Sequence, residues 1–115
     1  MSRASAWPLS PRAARVFYNA ADAWLGAEAA GRDLVAELGP LPEPARRRLE
    51  RALWWLEWSP RLALRSRRGL SWLPREERRA WLDRLARRGP FRRAALRVRA
   101  AVQDAAKPAA PARRA

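Results

Sequence analysis

Apolar residues recur at three- and four-residue spacings along most of this chain, and the recurrences break at glycine and proline. Val16, Phe17, Ala20, Ala21 and Trp24 predict a first helix, opened by Pro11 with Ser10 as its cap and ended by Gly26 or Gly31. A short helix is predicted over Arg32–Leu38, stopped by Gly39 and followed by the stiff link of Pro40, Pro42 and Pro44. The next runs from about Glu43 to Trp58 on an inner stripe of Ala45, Leu49, Ala52, Leu53 and Leu56, and Pro60 is expected to end or bend it. Arg61–Gly69 reads as a basic connector with one or two helical turns. Pro74 opens another helix, with Glu76 and Glu77 complementing its dipole, Trp81, Leu82, Leu85 and Ala86 facing inward, and Gly89–Pro90 as its stop. The last helix is expected over Phe91–Ala106, with Ala94, Ala95, Val98, Ala101, Val102 and Ala105 on one side and Arg92, Arg93, Arg97 and Arg99 away from it. The expected fold is therefore all-α: a compact bundle of about four main helices plus one or two short ones. It occupies residues 11–106, between a flexible lead over 1–10 and a disordered Pro/Ala/Arg tail over 107–115.

Composition strengthens that reading. Ile and Thr are absent and Val occurs at four positions, so the residues that favour a pleated sheet are missing, while Ala, Leu and Arg favour helix. With 115 residues, 49% of them hydrophobic, one domain with a real core is expected. The absence of Cys and His removes disulfides, thiolate metal sites, cysteine nucleophiles and the commonest general base. No histidine is there to activate Ser10, Ser59, Ser66 or Ser71. No catalytic, cofactor-binding or metal-binding residue, and no small-molecule substrate, is expected. The formal net charge of +14 calls for an anionic partner: an acidic protein surface, nucleic acid or an anionic membrane. No stretch approaches the length of a membrane span, and Met1–Arg15 lacks the apolar segment of a secretory signal, so the cytoplasm is the default expectation.

Two groups of residues are candidates for binding. Trp54, Trp55 and Trp58 cannot all point one way, because adjacent helical residues lie about 100° apart. Core filling competes with exposure at a contact, where a Trp beside Arg is a common anchor. Leu70, Trp72 and Leu73 form a short apolar stretch in a basic neighbourhood. Trp54, Trp55, Trp58, Leu70 and Trp72 are the candidate partner contacts, with Leu73 assigned to the core. The arginine runs supply candidate anion contacts at Arg46, Arg47, Arg48, Arg65, Arg67, Arg68, Arg92, Arg93 and Arg97, against the alternative of a solvated helix face. They match no zinc spacing and no RNA-binding aromatic motif, so nucleic-acid binding through them would be non-specific and made to phosphates.

Several stretches in order carry a resemblance: A-D-A-W-L at 21–25, L-W-W-L-E-W-S-P-R-L at 53–62, R-R-G-L-S-W-L-P-R-E-E-R-R-A-W-L-D-R-L at 67–85, and G-P-F-R-R-A-A-L-R-V-R-A-A-V at 89–102. Over roughly residues 13–102 the chain resembles the helical N-terminal region of glucose–methanol–choline flavin oxidoreductases of the long-chain alcohol oxidase and cholesterol-oxidase-like branches. It also resembles the small helical third subunit of gluconate 2-dehydrogenase-type enzymes. Leu70 stands where that family usually has Phe, and Pro74 where a Ser or Thr cap is usual. No G-x-G-x-x-G dinucleotide fingerprint is present. The resemblance implies a non-catalytic helical accessory subunit that binds and stabilises a flavin oxidoreductase large subunit, with the FAD held by that partner. A small basic nucleic-acid-binding protein is the alternative that charge alone supports, and a protein lying on a membrane surface is a third.

Overall fold

Five α-helices carry the chain: α1 (Pro11–Leu25), α2 (Leu34–Leu38), α3 (Glu43–Leu62), α4 (Arg75–Arg87) and α5 (Arg92–Ala106). The structure, a computed structural model, describes residues 6–7, 9–29, 31–63 and 67–107. Two 3₁₀ turns, Gly26–Ala29 and Leu70–Trp72, and a two-residue antiparallel pairing of β1 (Ala6–Trp7) with β2 (Leu41–Pro42) complete the described elements. The expected all-α bundle is what the chain forms. α1 lies at its centre, touching α2, α3, α4 and α5; α3 and α2 pack on α5. Phe17, Leu34, Leu53, Leu56, Leu70, Leu82, Val98 and Val102 are fully buried where these helices meet.

The entry to α1 shows how its sequence works. Ser10 Oγ accepts from the Ala13 N–H at 3.2 Å, and Pro11 occupies the first turn, where a missing N–H leaves no bond unmade. No Glu follows three residues later to close a capping box; instead Glu50 of α3 accepts from the Ser10 N–H at 2.8 Å. A long-range carboxylate thus fills the local role and pins α1 to α3. The stretch expected to be a flexible lead is accordingly docked towards its end: Leu9 is buried, and Ala6–Trp7 pair with Leu41–Pro42. α1 ends at Gly26, whose φ of 58° suits glycine.

Three boundaries differ from expectation. The short helix begins at Leu34, not Arg32, because Asp33 acts as its cap, accepting from the Ala36 N–H at 3.1 Å. Arg32 pairs instead with Glu37 and reaches the Ala106 carbonyl at 3.1 Å, capping the end of α5. The final helix starts at Arg92, with Phe91 as cap residue. The largest difference is in α3, which runs through Pro60 to Leu62. A proline removes the N–H that the Leu56 carbonyl would accept from. The Ser59 hydroxyl donates to that carbonyl at 2.8 Å, and Ser59 Oγ itself accepts from Trp81 Nε1 at 2.8 Å. Ser59 and Pro60 are both buried, so the repair is made inside the core and joins α3 to α4.

Candidate docking face

On α3, Leu53 and Leu56 turn inward, so helical geometry sends Trp54 and Trp55 outward; they are 52% and 40% exposed. Trp58, one turn beyond Trp54, is half-buried. The rings contact one another along the helix. Trp54 and Trp55 meet edge-on with centroids 4.9 Å apart, Trp54 and Trp58 lie at 5.9 Å, and Trp55 reaches Phe91 at 5.9 Å. This is a continuous aromatic surface in which the rings hold each other in place.

The segment after the connector completes the face. The Gly69 backbone passes so close to α3 that a Cβ there would lie 2.6 Å from the Glu57 carbonyl oxygen, a position only glycine can take. Glu57 then accepts from both the N–H and the hydroxyl of Ser71, at 3.0 and 2.7 Å, and Asn19 of α1 donates to Ser71 Oγ at 2.9 Å. The Arg78 guanidinium donates to the Leu73 carbonyl at 2.9 Å and the Asn19 carbonyl at 3.3 Å, and lies 3.6 Å from Asp22. Arg75 pairs with the same carboxylate through two bonds of 2.9 Å. Burial pushes the Arg78 guanidinium down from its ordinary value, with Asp22 pulling the other way. These bonds fix a 3₁₀ turn that drives Leu70 into the core and turns Trp72 outward, 59% exposed. The guanidinium groups of Arg15 and Arg68 stand over the Trp72 ring at 5.8 and 5.1 Å, and Arg61 over Trp58 at 4.6 Å.

Two adjoining cavities lie between these side chains. One, of about 510 Å³, is lined by Glu57, Trp58, Arg61, Arg67, Arg68, Gly69 and Trp72. The other, of about 400 Å³, opens between α1 and α3, with Ala13 and Val16 beneath Trp54 and Trp58, and Arg12 and Arg15 at its edge.

The structure brings together only part of the predicted set. Trp54, Trp55, Trp58, Trp72, Arg67 and Arg68 share this side of the molecule. Leu70 does not belong to it: fully buried, it is a core plug and not a partner contact. Leu73 packs against the core as expected. Arg46 is half-buried and tied to Glu50 at 3.1 Å and Glu43 at 3.8 Å, and Arg47 pairs with Glu43 at 2.8 Å, so these two serve the α3 surface itself. Arg48 and Arg97 line a separate groove near the start of α3, and Arg92 and Arg93 are exposed near the start of α5. Arg65 lies outside the described residues, as does the stretch 108–115 expected to be a tail. Arg12, Arg15, Arg61 and Glu57 were not among the predicted site residues. The first three stand outside the arginine runs, and the role of Glu57 depends on Ser71, fourteen residues away.

Fold and face together define a small helical bundle with one aromatic, cationic side. No family model, curated protein or solved structure matches the chain. Among the described residues, no helix is long and apolar enough to cross a membrane.

Proposed function

We propose that this chain is a non-catalytic binding protein that docks onto a partner protein through the aromatic–arginine face of α3 and the Leu70–Trp72 turn. The observation that carries the reading is the exposed, braced set of Trp54, Trp55 and Trp72, with guanidinium groups laid over Trp72. Large rings held half in water give a monomer less stability than full burial would, whereas Trp and Arg at the centre of a contact supply much of its binding energy. The sequence resemblance supplies the partner class, a flavin-dependent oxidoreductase of the glucose–methanol–choline type, which this chain would stabilise as an accessory subunit. The flavin would be the partner's. Co-expression with a candidate large subunit tests this. The two should co-purify in fixed ratio, the large subunit should melt higher in the pair, and the isolated chain should show no visible flavin absorbance. Separate elution at physiological salt, or a stoichiometric flavin on the isolated chain, overturns it.

A further inference from the structure

The two adjoining cavities along the second half of α3, one against α1 and one against the segment after the connector, share Glu57 and Trp58 and form one groove with an apolar floor and a cationic rim that its own acids do not neutralise. Glu50 is committed to the Ser10 N–H and Arg46, and Glu57 to Ser71. Arg12, Arg15, Arg61 and Arg67 have no carboxylate within ion-pair distance among the described residues. The Arg15 and Arg61 guanidinium groups lie 5.8 and 4.6 Å from the centroids of Trp72 and Trp58, contacts to a ring that use none of their N–H donors on a carboxylate and so leave charge-assisted donors for an incoming acceptor. We infer that this groove takes an acidic–aromatic segment of the partner, its carboxylates on Arg15, Arg61 and Arg67 and an apolar side chain seated against Val16 and Trp58.

Charge selects that occupant and length bounds it. Glu50 to Arg61 spans about 16 Å at the helical rise, the reach of about five extended residues or three helical turns. A second copy of this chain would set arginine against arginine. Single-stranded nucleic acid stacks its bases on ring faces, and within this groove guanidinium groups stand at Trp58 and Trp72, which favours the acidic segment there and makes oligo-dT the competing occupant to test.

The inference rests on the reading of the chain as a protein-binding module, and its test does not need the oxidoreductase. Fluorescein-labelled random poly(Glu,Tyr), poly-Glu and an oligo-dT are titrated by anisotropy at about 150 mM salt. Poly(Glu,Tyr) should bind at least about threefold tighter than poly-Glu, and Arg15→Ala/Arg61→Ala should weaken it about tenfold or more. Arg92→Ala/Arg93→Ala near the start of α5 should change it less than about twofold, and thermal melts should show all variants folded. Equal affinity for the two polypeptides, or equal loss from both double variants, would mean general charge attraction and overturn the assignment. Tighter binding of oligo-dT with the same variant sensitivity would overturn it in favour of nucleic acid. Should the copolymer bind the groove while no oxidoreductase co-purifies, the partner class fails and the groove stands. Should co-purification survive Arg15→Ala/Arg61→Ala unchanged, the groove fails and the accessory role stands.

Discussion

Ser59→Ala is the sharpest test of how this fold tolerates a proline inside its longest helix. The hydroxyl does two things in the core: it donates to the Leu56 carbonyl that Pro60 cannot serve, and it accepts from Trp81 Nε1. Removing it leaves a buried carbonyl without that donor and takes one bond from the indole. Each such loss costs about 1–3 kcal/mol, so about 2–6 kcal/mol is expected for the pair. For a domain of this size that lowers Tm by roughly 10 °C or more, a large part of the ordinary stability of a small domain. Circular dichroism melts of four proteins decide the cause: wild type, Ser59→Ala, Pro60→Ala and the double variant. Pro60→Ala restores a backbone N–H for Leu56, so Ser59→Ala should cost about 1 kcal/mol less in that background than alone. Pro60 is itself buried, and the cycle cancels the cost of removing its ring. Equal costs in both backgrounds would refute the repair, leaving Ser59 with no role but its bond to Trp81.

The remaining predictions concern the turn beside the face and the cap of α2. Leu70→Ala should cost about 2–5 kcal/mol, as emptying a fully buried leucine site does, while Trp72→Ala should leave Tm within a few degrees and weaken partner binding; the two melts, run side by side, separate core from contact. Gly69→Ala should destabilise by about 1–3 kcal/mol, since the new methyl meets the Glu57 backbone and side chain, and the loss should show as a change in near-ultraviolet circular dichroism as the Trp72 turn shifts. The chain's single tyrosine, Tyr18, should titrate above the ordinary phenol value when followed by ultraviolet absorbance, because its hydroxyl donates to Asp33, and Asp33→Asn should bring it back. The same bond, then the Ala36 N–H, holds Asp33 below its usual range, and Arg32 does so for Glu37. Their support for α2 is therefore full above the ordinary carboxylate range and lost as pH falls from that range through the lower folded-state values, so hydrogen exchange of Leu34–Leu38, corrected for intrinsic rate, should speed up first over that interval.

How much of this was legible in the sequence follows from how local each cause is. Helix positions were readable because they depend on spacing and on neighbours: Ser10 and Pro11 opening α1, Gly26 or Gly31 closing it, of which the structure takes Gly26, and Glu76 and Glu77 at the start of α4. The persistence of α3 past Pro60 was not, although Ser59 stands beside it; the repair depends on a hydroxyl rotamer and on Trp81, twenty-two residues away. The tryptophans illustrate a middle case. That Trp54, Trp55 and Trp58 could not share one direction was plain from helical geometry, and the exposure of the first two follows from Leu53 and Leu56 taking the inward positions. Leu70 was misassigned because composition cannot tell which residue of the Leu70–Leu73 stretch turns inward. That is decided by Glu57, Asn19 and Arg78, which hold the turn from three different helices.

The same bonds link the fold to the face. Eight of the eleven acidic residues are spoken for inside the molecule: Asp22, Asp33, Glu37, Glu43, Glu50, Glu57, Asp83 and Asp104 each hold a cap, an ion pair or a turn. Acids here serve as structural fasteners, and among the described residues the arginines they pair with are Arg32, Arg46, Arg47, Arg75, Arg78 and Arg79, not the Arg12, Arg15, Arg61 and Arg67 of the groove rim. The +14 excess is set by 25 basic against 11 acidic residues, and the placement of the carboxylates decides where it is left unpaired, as on the rim of the groove along α3. Excess like charge works against a compact state, and neutralising it from outside relieves that repulsion. An anionic partner seated in the groove would therefore stabilise the bundle in two ways, by binding the folded form and by lowering its self-repulsion. The turn that carries Trp72 is fastened through Glu57, Asn19 and Arg78 to α3, α1 and α4 together, so Trp72 is positioned only when the three helices are packed, and under the proposed docking, binding through it would read out the folded state.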